Sequence, residues 1–161
     1  MIRPFKINDI PELLEMYNYF VLNSTATFDI EPLSLDAFTE KVTRIDKEYP
    51  FLVFEENNEI LGYAYGSKFR PKPAYNTTVE STVYVKQNTH RKKIGSLLYE
   101  ALLKQLKDAK FHVVLGVLTL PNDASVRLHE KFGFKQVGYL KQVGYKFDTW
   151  LDVGFYQLDL Y

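Results

Sequence analysis

A short basic turn is the part of this sequence with the clearest chemical meaning. It reads His90, Arg91, Lys92, Lys93, Ile94, Gly95 and Ser96, between a predicted strand and a predicted helix. A helix N-terminus presents free backbone N–H groups and the positive end of the helix dipole, so cationic side chains there favour a diphosphate ligand. The turn lacks the Gly-Lys-Ser/Thr of a P-loop and the three glycines of a dinucleotide fingerprint. From these residues alone, a solvated basic turn is the alternative.

Three further side chains have types that suit proton transfer or ligand binding. Glu80 interrupts a segment rich in Val and Thr, 77–86, where Glu is unfavourable. It is either a solvent-facing strand residue or a general base that accepts a proton from a reacting group. Asn122 is placed to cap a helix. His129 is a packed or surface residue, or an acid whose pKa of about 6.5 suits proton donation.

Composition limits the chemistry and the partners. The 161 residues include 20 basic and 20 acidic side chains, so no net charge attracts nucleic acid or an anionic membrane. There is no cysteine, which excludes disulfides, thiol nucleophiles and thiolate metal ligands, and no metal is expected. No apolar run approaches the roughly 18 residues of a membrane helix. The N-terminus is typical of a strand rather than a signal peptide, so a cytoplasmic enzyme is predicted.

The elements that must position these residues follow from hydrophobic periodicity. Strands are predicted at 1–6, 51–56, 59–69, 77–86, 112–120, 134–147 and 152–160, and helices after Asn8 or Asp9, from Ser34, over 94–109 and over 123–131. Asn57-Asn58 predicts a two-residue hairpin turn, and Gly133 a helix end. No repeat or linker divides the chain, so a single domain over 1–161 is expected. The order predicts an α/β (α+β) domain with helices on both faces of a mixed sheet.

Several segments resemble a known family. Residues 90–95 are similar to the acyl-CoA pyrophosphate loop of the GNAT N-acetyltransferase superfamily, with His90 where Gln or Arg is usual and Lys93 where Gly is usual. The likeness to the phosphinothricin N-acetyltransferase family is closer and spans nearly the whole chain. It is carried by YNTTVESTVYV at 75–85, LPNDASVRLHE at 120–130, GYK at 144–146, WLDVGF at 150–155, and Ser24-Thr25 with Phe28. The resemblance implies the GNAT fold with a mixed, mostly antiparallel sheet, and a homodimer with the aromatic C-terminal strands near its interface.

The resemblance also implies roles for individual residues. Glu80 is expected as the general base, and His129 stands where many GNAT enzymes have a Tyr that protonates the leaving thiolate. Acetyl-CoA is the implied co-substrate, with contacts expected from Val83, Tyr84, Val85, Arg91, Lys92, Lys93, Ile94, Gly95, Ser96, Asn122 and Ser125. On the acceptor side, Arg70 is expected to bind a carboxylate through two hydrogen bonds. The expected walls of that site are Phe28, Pro73, Ala74 and Tyr75, although packing remains open for both rings and an exposed loop position for Arg70.

The resulting hypothesis is direct transfer of an acetyl group from acetyl-CoA to the amine of a small amino acid or analogue. Phosphinothricin and methionine sulfone or sulfoximine are the implied type. The alternatives are a GNAT enzyme for another amine (a polyamine, an antibiotic or a protein N-terminus) and a non-catalytic acyl-CoA-binding module. A cationic acceptor would favour an acidic site, and residues 70–75 offer none. Loss of Glu80 or Asn122 would favour the binding module, and both are present.

Overall fold

The computed structural model describes residues 1–89 and 93–161. Four α-helices and seven strands lie in these ranges. The helices are α1 (Ile10–Asn23), α2 (Leu35–Glu48), α3 (Ile94–Asp108) and α4 (Asp123–Lys131). The strands are β1 (Ile2–Pro4), β2 (Phe51–Glu56), β3 (Glu59–Lys68), β4 (Thr78–Val85), β5 (Val113–Leu120), β6 (Lys135–Lys146) and β7 (Thr149–Asp159). No helix in these ranges is both long and apolar enough to cross a membrane.

All seven strands form one sheet, in the order β1-β2-β3-β4-β5-β7-β6. Only β4 and β5 pair in parallel, and the other neighbours are antiparallel. Parallel neighbours need a crossover connection, which α3 provides. The predicted mixed, mostly antiparallel sheet is confirmed.

Two hydrophobic cores cover the two faces of this sheet. On one face, Leu98, Leu102 and Leu106 of α3 pack with a cluster that includes Val79 of β4. On the other face, α1 and α2 pack with a cluster that includes Tyr84 of β4. Because successive strand residues point to opposite faces, Glu80 projects to the same side as Tyr84. The prediction of helices on both faces is therefore confirmed.

Local signals placed several element boundaries correctly. Ser34 caps α2, since its Oγ accepts a hydrogen bond from the Ala37 N–H at 3.1 Å. Asn57 and Asn58 both have positive φ, as their hairpin turn requires. Asp9 precedes α1 but makes no side-chain cap, because its carboxylate binds the Arg3 guanidinium at 2.8 Å.

The largest boundary error concerns β7, which begins at Thr149 and not at 152. Phe147 and Asp148 both adopt left-handed backbone conformations, with φ of 53° and 55°, and so turn the chain in two residues. Glycine or asparagine is the usual marker of such a turn. Neither residue is present at these positions, so the sequence pattern favoured a longer connection.

Candidate active site

The parallel strands β4 and β5 separate in the middle of the sheet. Their pairing runs from Thr78 and Val113 to Ser81 and Gly116. Beyond this point β4 continues to pair with β3, and β5 with β7. Along the described parts of the two facing edges, backbone N–H and C=O groups therefore lack a ladder partner across the gap. An extended ligand with amide groups can occupy such an edge as an added strand does.

Gly116 marks the point of separation and makes room for His129. A Cβ atom built on Gly116 would lie 2.5 Å from both Cδ2 and Nε2 of the His129 ring, so any side chain there would displace it. The ring is buried, and its Nδ1 lies 2.7 Å from the Ser125 carbonyl oxygen. Its Nε2 lies 3.0 Å from the Tyr99 hydroxyl. Burial lowers the pKa of His129, and the hydrogen bond to Ser125 partly opposes that shift.

Glu80 is the half-buried carboxylate nearest the gap. Its strand position pairs with Ser67 of β3 and Leu115 of β5. No residue in the described part of the chain donates a hydrogen bond to its carboxylate, and burial raises its pKa. A raised pKa makes the ionised form a stronger proton acceptor, which suits a general base.

A cavity of about 220 Å³ opens at the gap and brings the two predicted catalytic residues together. Glu80 and His129 both line it, with Asn122 and Ser125 from the start of α4. The side chains that complete its wall near His129 are Ser81 and Tyr99. Neither residue stands out in the sequence as a candidate for the site.

A groove of about 460 Å³ leads from the same gap to the N-termini of α3 and α4. The predicted cofactor residues that line it are Val83, Tyr84, Val85, Lys93, Ile94, Gly95, Ser96, Asn122 and Ser125. Arg127 and Lys131 add two cationic side chains that were not predicted. The groove thus combines an unpaired strand edge with helix N-termini and positive charge, which fits an amide-containing arm that ends in phosphates. His90, Arg91 and Lys92 lie outside the described residues.

Lys93 holds the turn in the shape that glycine would supply. Its backbone is left-handed, with φ of 55° and ψ of 24°, and its carbonyl accepts the first α3 hydrogen bond, from Leu97 at 3.1 Å. A non-glycine residue in this conformation costs about 1–2 kcal/mol. The departure from the usual glycine therefore leaves the start of α3 intact.

Asn122 acts as the N-cap of α4. Its side-chain oxygen accepts a hydrogen bond from the Ser125 N–H at 3.1 Å. Since Asn122 also lines both the cavity and the groove, the capping role and a ligand contact are compatible. The cap fixes the first turn of the helix that carries His129.

The loop between α1 and α2 lines the cavity that contains Glu80 and His129, and hydrogen bonds hold it there. Lys146, a buried lysine of β6, donates from Nζ to the carbonyls of Ser24 at 2.7 Å and Thr27 at 2.8 Å. Thr119 of β5 donates to the Thr25 carbonyl at 2.7 Å. These contacts hold the segment that carries Phe28.

Phe28 packs on the backbone of β6. A Cβ atom on Gly144 would lie 2.5 Å from two atoms of the Phe28 ring, so the close contact needs glycine. The ring keeps 40% of its surface exposed. Phe28 thus packs against β6 and keeps an exposed face, and it is not among the described residues that line the two cavities of Glu80.

Arg70 is not among the described residues that line a cavity with Glu80. Arg70 is exposed in the β3–β4 loop, and its guanidinium lies 5.0 Å from the ring centre of Phe69 and 5.7 Å from that of Tyr75. Pro73, Ala74 and Tyr75 form a short 3₁₀ turn in the same loop. The two cavities that Glu80 lines are formed by other described residues.

Lys41 of α2 is the cation that lines both of those cavities. Its Nζ lies 4.5 Å from the ring centre of Tyr17. Burial lowers the pKa of Lys41, and the charge of Asp29 partly opposes the shift. Arg44, one turn further along α2, lines the larger cavity. Only the helical spacing of Lys41 beside the buried Phe38 and Val42 hinted at its position.

The sequence and the fold match proteins of known class. A family model described as an acetyltransferase (GNAT) domain matches residues 2–154. The chain is 40% identical to phosphinothricin N-acetyltransferase of Streptomyces viridochromogenes, over 98% of this chain and 86% of that protein. It is 37% identical to the L-methionine sulfoximine/L-methionine sulfone acetyltransferase of Pseudomonas aeruginosa, over 99% of this chain and 94% of that protein. The crystal structure of a phosphinothricin acetyltransferase from Sinorhizobium meliloti in complex with acetyl-CoA matches with a TM-score of 0.95 and 30% identity, over 99% of this chain and 87% of that chain.

Seven strands that part at β4 and β5, with a cationic groove at the gap, agree with these matches. The chain belongs to the GNAT acetyltransferase superfamily, and within it to the phosphinothricin N-acetyltransferase family. It is an acetyl-CoA-dependent N-acetyltransferase. The resemblance inferred from the sequence is thereby confirmed.

Proposed function

We propose that this enzyme acetylates the amine of a small amino acid or analogue of the phosphinothricin and methionine sulfone or sulfoximine type. Glu80 carries the proposal. It is a carboxylate with a raised pKa and no hydrogen-bond donor among the described residues. It lines a cavity that shares Val83, Tyr84, Asn122 and Ser125 with the cationic groove. An amine placed against Glu80 would thus face the thioester end of a ligand in that groove.

In the proposed mechanism, Glu80 accepts a proton from the acceptor ammonium, directly or through a water molecule, because only the free amine is nucleophilic. Backbone groups of Val83, Tyr84 and Val85 bind the arm of acetyl-CoA along the open edge of β4. One of their N–H groups donates to the thioester oxygen as it gains negative charge. His129 supplies the proton that converts the departing thiolate to a thiol. Overall the ammonium loses two protons, of which one ends on sulfur and one reaches solvent.

The charge around Glu80 favours an acceptor with its own carboxylate. The larger cavity that Glu80 lines, about 540 Å³, includes the cations Lys41, Arg44 and Lys68, which outnumber its two carboxylates, Glu48 and Glu80. These cations disfavour a polyamine and attract an anion. Lys41 reaches both cavities, so we assign it the carboxylate contact that the sequence analysis gave to Arg70. The names of the relatives, which refer to phosphinothricin and methionine sulfoximine, agree with a small amino-acid acceptor.

A thiol-release assay with acetyl-CoA tests this assignment. Methionine sulfone should react faster than its decarboxylated amine by roughly 5- to 150-fold in kcat/KM, which corresponds to about 1–3 kcal/mol for stranding a buried charge. Lys41→Met should narrow this preference, and Arg70→Met is the matched control. If only Arg70→Met narrows it, the carboxylate binds at the β3–β4 loop. If the wild-type enzyme shows no preference for the carboxylate, the amino-acid assignment is wrong.

We also propose a homodimer through the C-terminal hairpin. β6 is an edge strand of the sheet, and the hairpin exposes many large apolar side chains. They are Val137, Tyr139, Leu140, Val143, Tyr145, Phe147 and Trp150. Exposed apolar side chains along an edge strand suit pairing with a second copy. Sedimentation velocity should show a dimer for the wild type and a monomer for Trp150→Lys, and a monomeric wild type would contradict the proposal.

A further inference from the structure

A chain of four polar contacts runs from α4 through α3 to the sheet. The Ser125 carbonyl oxygen lies 2.7 Å from His129 Nδ1, and His129 Nε2 lies 3.0 Å from the Tyr99 hydroxyl. The Tyr99 hydroxyl lies 2.5 Å from Ser81 Oγ, which lies 3.2 Å from the Leu115 carbonyl oxygen. The chain ends where β4 and β5 separate. It joins His129 to the residue that follows Glu80.

The three side chains that form this row of contacts, Tyr99, His129 and Ser81, are buried. Exposed fractions are 0% for Tyr99, 3% for His129 and 8% for Ser81. Buried polar groups of this kind are almost always hydrogen-bonded, and each of these side chains contacts the next. Each of the three therefore depends on the others.

The number of protons on the three side chains decides whether all four contacts can be hydrogen bonds. Both ends are carbonyl oxygens, which only accept hydrogen bonds. A neutral His129, Tyr99 and Ser81 bring one proton each, so three protons serve four contacts. One contact must then place two acceptors against each other. An imidazolium brings the fourth proton, and every contact becomes a hydrogen bond.

The groups around His129 add little competing charge. Among the described residues, Tyr99 faces it from α3, Tyr156 of β7 lies 6.1 Å away between ring centres, and Ser125 contacts it from its own helix. Glu80 and Lys41 line the same cavity without a hydrogen bond to the ring. The hydroxyl chain is thus the main polar environment of Nε2.

We propose that Tyr99 and Ser81 are positioning residues that hold a second proton on the His129 ring. The inference rests on the proposed role of His129 as the acid. In the cationic state Nε2 donates to Tyr99, Tyr99 donates to Ser81, and Ser81 donates to the Leu115 carbonyl. When the proton leaves, Tyr99 and Ser81 reverse direction, and the contact of Ser81 with Leu115 loses its proton.

This arrangement opposes the effect of burial. Burial alone favours the neutral ring, which would leave no proton for the leaving group at neutral pH. A charge-assisted hydrogen bond from Nε2 to Tyr99 favours the cation. In the proposed reaction, the ring gives its Nε2 proton to sulfur as the C–S bond breaks. The electron pair of that bond stays on sulfur. The ring returns to the neutral form with its proton on Nδ1.

Ser81→Ala separates this account from a purely structural role, because Ser81 does not touch His129. Without the Ser81 hydroxyl, neutral His129 and Tyr99 satisfy both remaining contacts with two protons. The cation would instead leave the buried Tyr99 hydroxyl without an acceptor. Ser81→Ala should therefore weaken proton binding two contacts away. Tyr99→Phe should do the same, since it removes the acceptor of Nε2.

Side-chain NMR titration measures this directly in a chain with three histidines. The His129 signal is identified by its absence in His129→Gln. We expect its midpoint to fall by about one pH unit in Tyr99→Phe and in Ser81→Ala, which is a tenfold weaker affinity for the proton. Tyr63→Phe is the matched control, because it removes a buried phenol hydroxyl with no partner among the described residues. It should leave the midpoint unchanged.

An unchanged or raised midpoint in Ser81→Ala would overturn the proposal, and this holds even if Tyr99→Phe fails to fold. Activity provides the second readout. If His129 is the acid, the high-pH limb of the profile of kcat against pH should move to lower pH in Ser81→Ala, by the same amount as the NMR midpoint. A shifted NMR midpoint with normal turnover in His129→Gln would support the proton chain and contradict the catalytic role of His129.

Discussion

The two sides of the gap between β4 and β5 are built in different ways. The cationic groove that we propose binds acetyl-CoA, the cofactor groove, is lined by an open strand edge and two helix N-termini, at 83–85, 93–96 and 122–125. The cavity that we propose binds the amine, the acceptor cavity, is lined by side chains from α2, β4 and α4 and by the α1–α2 loop. Lys146 binds this loop at Ser24, although the two residues are 122 positions apart in the sequence. The cofactor groove is thus built from short segments with a local motif, and the acceptor cavity is built from contacts between distant parts of the sequence.

In the proposed mechanism, this difference separates the residues that bind acetyl-CoA from those that select the amine. Backbone groups and helix ends recognise features that every acyl-CoA shares. Side chains such as Lys41 and Phe28 can change without altering the backbone of the groove. Substitutions on the two sides should therefore have separable effects on the two substrates.

Apart from the loss of Glu80 itself, the largest effect is expected where the two sides meet. Gly116→Ala would place Cβ 2.5 Å from the His129 ring and force the imidazole away from Tyr99. We expect turnover to fall by roughly 10²-fold, as for loss of a proton donor, and stability to fall by about 1–3 kcal/mol from overpacking. Steady-state kinetics and urea unfolding measure both.

Gly138→Ala is the matched control for this substitution. Its Cβ would lie 3.6 Å from Phe155, an ordinary contact, so activity should stay near that of the wild type. Wild-type turnover in Gly116→Ala would show that the position of His129 does not matter for catalysis.

A smaller and one-sided effect is expected at Lys146. Lys146→Met removes two hydrogen bonds to the carbonyls of Ser24 and Thr27 and releases the loop that carries Phe28. We expect a loss of about 2–3 kcal/mol in the free energy of unfolding, since hydrogen bonds to charged groups contribute about 1.5–3 kcal/mol. The KM for the acceptor should rise, while calorimetry should find the affinity for acetyl-CoA unchanged. Equal losses for both substrates would contradict the separation of the two sides.

The smallest effect is expected on the cofactor side, at Lys93. Lys93→Gly should relieve the left-handed backbone and raise the free energy of unfolding by at most about 1 kcal/mol, because glycine also loses more entropy on folding. Lys93→Ala keeps the strain and removes the charge, so the pair separates the two contributions. Denaturant unfolding and acetyl-CoA calorimetry provide the readouts. A destabilised Lys93→Gly would show that the turn has a different shape.

Most of the fold could be predicted from the sequence because its signals are local, while most of the expected cofactor contacts came from the resemblance to a known family. Ser34 capped the helix it was expected to cap, and residues 94–96 line the groove at a helix start. The acceptor side depends on contacts between distant residues. Nothing local to Lys146 or Gly116 indicates that one reaches the α1–α2 loop and the other receives an imidazole ring.

The same reason explains why the proposed carboxylate contact is Lys41 and not the predicted Arg70. Arg70 precedes the Glu80 strand closely in sequence, which made it the natural candidate. In the structure its guanidinium stacks on Phe69 and Tyr75, and α2 brings Lys41 to the cavity instead. Proximity along the chain does not reveal which helix covers a given face of a sheet.

The central claim is that Glu80 removes a proton from an amine held at the gap, and Glu80→Gln tests it most directly. Turnover with methionine sulfone should fall by roughly 10²–10⁴-fold at pH 7, while the affinity for acetyl-CoA stays the same. The loss should shrink as the pH rises, since free amine then becomes abundant without the base. Glu100→Gln, an exposed position on α3, is the matched control. Wild-type turnover in Glu80→Gln at pH 7 would show that Glu80 is not the base.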